Sequence, residues 1–329
     1  MRINPILTML LGAMLCLLAA CGNNESTNSS TRGTAVIICD PSFQNILDEE
    51  ISVFEFHYPE ANILARYLPE ADALDSLFDK KVDLIITSCD LTDKQRELLK
   101  AQQRAYRSHK IAVDAVAIIV NKDNDIDQLS MEELREIFTG KYTRWGEVTP
   151  TKNLKDKEIE LVFDGNGSGV INYMREIFVG RGKEFGAKVY AQQSTEEVFK
   201  AVELHRNAIG FVGVSWITAD MKSRATSIDE RVRQLNEQEG PSAIDFTDRI
   251  KVMSVRADDQ LQPRKPYQYY INNGEYPLVR IIWAIDASAN GTLDHGFYSF
   301  LTGVIGQKII LQTGVLPAAE PVRMVETTN

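Results

Sequence analysis

The chain has 329 residues, 44% of them hydrophobic, and carries 36 Lys+Arg against 46 Asp+Glu, a formal net charge of −10. An acidic surplus of this size argues against nucleic acid or a polybasic membrane contact as a partner. The length is generous for one core and suits two lobes.

The first residues bear on the compartment. Met1-Arg2 makes a short positive start, and the apolar run Ile6 to Ala20 is shorter than the roughly 20 residues a spanning helix needs. Small residues precede Cys21, so residues 1–20 read as a secretory signal. Leu18-Ala19-Ala20-Cys21 resembles the end of a bacterial lipoprotein signal, which implies acylation of Cys21 as the mature N-terminus; an ordinary cleavage site ahead of a cysteine is the alternative. Losing residues 1–20 removes only Arg2 among the charged residues, leaving 35 basic against 46 acidic and a net charge of −11. Residues 21–34 are rich in Asn, Ser, Thr and Gly and read as a flexible tether.

From there strand and helix alternate. Ala35–Ile38 is a strand, and a helix with Phe43, Ile46, Leu47, Ile51, Val53 and Phe54 on its apolar positions starts at Pro41 or Ser42. Asn62–Ala65 is a second strand, Ala71–Lys80 a second helix, Val82–Thr87 a third strand and Thr92–Gln103 a third helix. Strongly apolar strands in β-α-β-α-β order imply a parallel sheet covered on both faces. Ligands bind such sheets at the C-terminal strand ends, where Ser42, Phe43, Thr87 and Ser88 gather. Cys39 and Cys89 also fall at strand ends; a disulfide between neighbouring strands and two separate buried thiols are both open.

Ile111–Asn121 is too long for one short strand and reads as a crossing between lobes. Ser130 and Glu133 form a capping box for the next helix, which Gly140 closes. Lys141–Val148 reads as a surface loop with a packed aromatic. Then comes Leu161-Val162-Phe163-Asp164-Gly165-Asn166-Gly167-Ser168-Gly169-Val170, a strand running through a glycine-rich turn into a helix. This order brings free backbone N–H groups and the positive end of a helix dipole to one point, an arrangement suited to an anion. Ser194 and Glu197 propose a second capping box, and Ala208–Gly213 a strand of close backbone approach. Residues 221–266 are polar and irregular apart from the strand-like Ile250–Met253. Tyr276–Ile285 reads as the return crossing, and one C-terminal helix carries Phe300, Leu301, Val304, Ile305, Ile309 and Ile310 ahead of Gly314.

Five stretches in this order resemble the phosphate ABC-transporter substrate-binding proteins of the type II periplasmic-binding-protein superfamily. Ile137-Phe138-Thr139-Gly140 with Trp145 is similar to "IFxGxxxxW", and Gly167-Ser168-Gly169 to the Ser-Gly-Thr anion turn. Ala208–Gly213 is similar to "AIGYVG", Tyr276–Arg280 to "YPLxR", and Gly306-Gln307-Lys308-Ile309 with Gly314 and Pro317 to "GQKIV…G…P". The resemblance implies an α/β fold of two lobes, each a mixed, mostly parallel sheet flanked by helices, joined by two hinge-crossing strands. Residues 35–112 with 277–329 would form lobe 1, and 113–276 lobe 2. It also implies capture of a small oxyanion, phosphate first, at Ser42, Phe43, Thr87 and Ser88 of lobe 1 and Asp164, Gly167, Ser168, Gly169 and Val170 of lobe 2. Delivery to an ABC-transporter permease would follow, on the periplasmic face of a bacterial membrane held only by lipid at Cys21; a tethered ligand sensor or interaction protein not coupled to transport is the alternative. A monomer is expected, without cofactor or metal.

The chain departs from the family at two positions. Asp164 stands where an arginine is usual, four residues before the turn serine, and Val170 replaces the threonine hydroxyl. A carboxylate in place of a cation beside a dianion reverses an interaction worth roughly 4 kcal/mol at an effective ε of about 20. Asp164 could point away toward Arg175 or Arg66, another arginine such as Arg144 or Arg280 could supply the charge, or the ligand could be less anionic. Enzyme readings find little support. His57, His109, His205 and His295 lack metal spacing, no G-x-S-x-G elbow is present, and Asp40, Asp90 and Asp164 are equally well explained as loop or cap residues.

Overall fold

The computed structural model describes residues 28–151, 153–165, 167–217 and 250–319. The signal segment, Cys21, most of the tether, Asn166 and most of the polar excursion lie outside the described residues.

Strand β1 (Gly33–Cys39) starts two residues inside the segment read as tether and buries Ile37, Ile38 and Cys39. Asp40 accepts the Ser42 N–H and so caps a 3-10 turn, Pro41–Phe43, which leads into α1 (Gln44–His57). The expected start at Pro41 or Ser42 is therefore the 3-10 turn, with Asp40 as its cap. Then follow β2 (Ala61–Tyr67), α2 (Glu70–Phe78), β3 (Leu84–Thr87), α3 (Asp93–Ala101) and β4 (Arg107–Asn121). Next come β5 (Gln128–Ser130), α4 (Met131–Phe138), α5 (Trp145–Val148), β6 (Glu160–Asp164), α6 (Gly169–Phe178), β7 (Val189–Gln192), α7 (Thr195–Leu204) and β8 (Ala208–Gly213). The described chain resumes with β9 (Ile250–Val252), β10 (Ser254–Arg256), α8 (Gln268–Asn272), β11 (Val279–Asp286), α9 (Leu293–Thr302), α10 (Val304–Gln312) and β12 (Leu316–Pro317).

The main sheet has the order β2-β1-β3-β11-β4-β8-β6-β7. Both flanks are parallel, β1 with β2 and β3, β6 with β7 and β8, as apolar strands alternating with helices require. The antiparallel pairings gather at the centre, because β4 and β11 are the crossings and run against each other. β4 serves both halves: Arg107 to Ala115 pair with β11, and Val116 to Val120 pair with β8. This double duty explains the length of the apolar run. Among the described residues the two largest apolar clusters divide along the same line, with a smaller one (Ile38, Ala73, Leu77, Ile85, Leu99, Ile285) on the other face of the β1–β3 side. Of the two largest, one collects residues from Ala115 to Leu278, the other takes β1–β3, the first part of β4, β11 and the C-terminal helices. The crossings are tied together where Val116 N–H donates to the Leu278 carbonyl (2.8 Å) and the Tyr276 hydroxyl to the Val116 carbonyl (2.8 Å).

Local chemistry alters several expectations. The Ser130–Glu133 box forms in both directions. The Ser194–Glu197 box does not, because Glu197 accepts from the Gln193 N–H (3.0 Å) and Ser194 makes no side-chain cap bond. The single C-terminal helix is two helices. Gly303 is extended at the break, Gly306 lies where a Cβ would come 2.4 Å from the Phe300 carbonyl oxygen, and Val304 and Ile305 are exposed rather than core. Trp145 is fully buried and opens a short helix, its indole N–H donating to the Asn207 carbonyl (3.0 Å). Cys39 is buried and Cys89 exposed, both free, so neither the disulfide nor the pair of buried thiols is realised.

Candidate ligand-binding site

The end of β1, the turn after β6, the crossings β4 and β11, and the segment after β8 converge on one buried polar cluster. Arg280, 3% exposed, is its centre. Its Nε and Nη2 donate to Asp114 Oδ2 (3.0 and 2.7 Å), its Nη1 donates to the Ser42 hydroxyl (2.8 Å), and its guanidinium lies 4.2 Å over the Phe43 ring. Each crossing strand thus carries one charge in an otherwise apolar middle stretch, and the two charges satisfy each other. Burial raises the Asp114 pKa and Arg280 pulls it back, its two donors on one oxygen favouring the charged carboxylate.

Ser42 also donates to Asp40 Oδ1, through both N–H (2.9 Å) and hydroxyl. Asp40 is fully buried, and burial raises its pKa against the pull of Arg280. Its second oxygen, Oδ2, has no hydrogen-bond partner, and neither has Oδ1 of Asp114. Across from them stands Gly169, first residue of α6. A Cβ there would meet Asp40 Oδ2 at 3.0 Å and Arg280 Nη1 at 3.2 Å, so glycine lets the two sides of the site touch. Gly213 does the same on the other side, facing Asp114 Oδ2 and Arg280 Nη2. Beyond β8, the Trp216 indole donates to the Ser42 carbonyl (3.0 Å) and the Ser215 hydroxyl to Asn45 (3.0 Å).

Ser168 caps α6, accepting the Ile171 N–H (3.4 Å), and its hydroxyl donates to Asp164 Oδ1 (2.7 Å). Asp164 Oδ2 accepts from Thr195 (3.1 Å). Asp164 is buried and does not reach toward Arg175, which bonds Asn172 and stacks on Phe185. Burial is the main cause that pushes its pKa up to about 6; Asp40 adds to the rise, while Ser168, Arg280 and Thr195 oppose it. The cation near the turn is Arg280.

Ser42, Phe43, Asp164, Ser168 and Gly169 therefore come together. Val170 is buried in the core that runs from Ala115 to Leu278, so its side chain packs away from the cluster's polar groups. Gly167 sits at φ +98°, a backbone conformation that favours glycine, where an added Cβ would lie 3.6 Å from the Pro69 side chain. Thr87 and Ser88 stand apart from the cluster's bonds. Thr87 donates to the Cys89 carbonyl (2.8 Å), and Ser88 gives both its N–H (3.0 Å) and its hydroxyl to Glu70. Asp114, Thr195, Ser215 and Glu70 were not anticipated. Asp114 had a signal, since a lone carboxylate among Ile111–Val120 needs a buried partner.

Chemically, the first-turn N–H groups of α6, which have no intrahelical acceptor, and the Arg280 guanidinium can hold an oxyanion. The carboxylates beside them can accept hydrogens from a ligand. Among the described residues no His/Cys/Asp/Glu group could hold a metal ion, and no helix is long and apolar enough to cross a membrane.

Comparison with known proteins agrees with this architecture. A family model described as "PBP superfamily domain" matches residues 24–304. The chain is 24% identical over 305 residues to the phosphate-binding protein PstS of Pseudomonas aeruginosa, covering 88% of this chain and 84% of that protein. It is 23% identical over 304 residues to the phosphate-binding protein PstS of Staphylococcus saprophyticus, covering 92% and 85%. Among solved structures, the substrate-binding protein of a proposed phosphate ABC transporter from Clostridium perfringens, with phosphate bound, superposes with a TM-score of 0.66 at 18% identity, over 87% of this chain and 100% of that one. An ABC-type phosphate transport receptor from Vibrio cholerae gives 0.59, also at 18%, over 87% and 100%. With a family match over most of its length and a two-lobed sheet joined by two crossings, the chain belongs to the PBP superfamily, in the type II architecture.

Proposed function

We propose that this solute-binding protein captures a small oxyanion, phosphate first, between two lobes and passes it to an ABC-transporter permease. The observation that carries the reading is the meeting of the α6 N-terminal turn with Arg280 and Ser42, contributed by opposite sides of the cleft. The segregated cores support lobes at 35–112 with 277–329 and at 113–276. Hinge motion at the crossings near Ala115 and Leu278 would open and close the cleft. The N-terminal sequence supports a lipoprotein held at the periplasmic face through Cys21, and the net negative charge argues against nucleic-acid contacts. No catalysis is proposed, since the relatives are named as binding proteins.

A second reading keeps the fold and changes the ligand to a less anionic one. Its support is Asp40, Asp114 and Asp164 gathered around a single arginine. Titration of the mature protein with phosphate, sulfate, molybdate, nucleotides and amino acids separates the two. Binding of an anion supports the first reading. Stabilisation only by neutral or cationic solutes supports the second.

A further inference from the structure

The hydroxyls of the cluster point their hydrogens at carboxylates. Ser42 donates to Asp40, and both Ser168 and Thr195 donate to Asp164. An ionised carboxylate can only accept, so these hydroxyls offer a ligand lone pairs rather than hydrogens. Two further acceptor oxygens, Asp40 Oδ2 and Asp114 Oδ1, are buried without partners, the former directly against Gly169. With all three aspartates ionised, Arg280 leaves an excess of negative charge where the helix turn invites an anion.

We infer that Asp164 determines the specificity of this site, which takes its oxyanion together with one proton from solvent. The proton settles on Asp164 Oδ1. The resulting O–H donates to the Ser168 hydroxyl oxygen, and the Ser168 hydrogen, released from Asp164, turns to the ligand beside the α6 N–H groups. One proton thus removes a negative charge and converts an acceptor into a donor at the turn. No heavy-atom bond forms or breaks. The inference rests on the oxyanion reading above.

The surroundings favour Asp164 for this role. It faces Ser168 from α6, Thr195 from the start of α7, Asp40 from the end of β1 and Arg280 from β11. Asp114 stands behind Arg280, Glu70 lies beyond Asp40, and Tyr173 of α6 is close to both Arg280 and Asp114. Asp114 is held by two guanidinium donors, whereas Asp164 is held only by hydroxyls, each of which can reverse its direction. Burial also brings Asp164 to a pKa of about 6, so a proton is within reach near neutral pH.

Calorimetric titration of the mature protein with inorganic phosphate, in buffers of different ionisation enthalpy, counts the protons taken up. The Asp164→Asn variant carries an amide that already donates to Ser168 and subtracts phosphate's own titration. Near pH 7.5 the wild type should take up close to one proton more per phosphate than the variant. Its Kd relative to the variant should weaken about 25-fold between pH 6.5 and 8, as linkage to a group of pKa about 6 requires. Thr195→Val, close in volume, removes one donor that holds Asp164 ionised, so the pH above which affinity falls should rise. Equal proton counts in wild type and Asp164→Asn overturn the inference, and so does an unmoved profile in Thr195→Val should the Asn variant fail to fold. Absence of phosphate binding at every pH overturns the oxyanion reading and this inference with it.

Discussion

Replacing Arg280 with methionine removes the only cation bonded within the described cluster while keeping an unbranched apolar stem. In the wild type its guanidinium supplies two hydrogen bonds to Asp114, one to Ser42 and a face contact with Phe43. The side chains of Arg280 and Asp114 are 1% and 0% exposed, so methionine strands a carboxylate in the interior. Breaking such a pair from one side costs about 3–5 kcal/mol, and the lost face contact adds about 0.5–2 kcal/mol. Against the total of about 5–15 kcal/mol typical of folded proteins, that is a large fraction. Urea unfolding followed by tryptophan fluorescence should show a midpoint lower by about 1 M or more. Adding Asp114→Leu removes the stranded charge, and the double variant should return to within about 2 kcal/mol of the wild type, since the desolvation cost of both charges goes with them. Phosphate binding should stay lost in both. A single variant that costs less than about 1 kcal/mol, or a double variant no more stable than the single, would refute the reasoning.

Three further outcomes are expected. Asp164→Asn should stabilise the protein in alkaline conditions: the folded pKa of Asp164 is raised from 3.8 to about 6, so its contribution is intact below about pH 4 and is lost as pH rises through about 6, a loss of about 3 kcal/mol that the amide avoids. Urea unfolding near pH 4 and near pH 8 checks the sign, and a larger gain at the acid end would be contrary to it. Gly306→Ala should lower stability by about 1–3 kcal/mol, because the new methyl would press on the Phe300 carbonyl oxygen at 2.4 Å and on Leu301 Cα at 2.9 Å; an unchanged melting temperature would show that α9 and α10 can separate without loss. Alkylation should reach the exposed Cys89 in the folded protein, slowly because partial desolvation of its sulfur and the adjacent Glu70 carboxylate raise its thiol to about 12, and Cys39 only after unfolding; a dependence on prior reduction would reveal a disulfide instead.

The sequence carried the fold because its signals were local. Apolar strands Ala35–Ile38 and Val82–Thr87, the Ser130–Glu133 box and the long run Ile111–Asn121 each needed no distant partner to be read. Where a competing local bond existed the reading failed. Glu197 chose the Gln193 N–H over Ser194, and Gly303 allowed the C-terminal helix to break so that Gly306 could pack on the preceding turn. The site was legible at its turn, since Ser168 and Gly169 announce a helix N-terminus on their own. Its electrostatics were not. Arg280 and Asp114 lie 166 residues apart, and only pairing of β4 with β11 puts them face to face. Ser88 sits at a strand end as expected, yet Glu70, from the opening of α2, takes both its donors. Thr195 had no signal as a partner of Asp164, because the contact depends on β7 lying beside β6.

The central claim, an oxyanion held between the α6 turn and Arg280, is tested most directly by titrating the mature protein and its Arg280→Met/Asp114→Leu variant with phosphate. The variant should keep the fold, since the cation and its buried counter-ion are removed together. Saturable binding of one phosphate by the wild type, absent from the variant, is the predicted result. Equal binding by both, or stabilisation of the wild type by neutral or cationic solutes and by no anion at millimolar concentration, would contradict it.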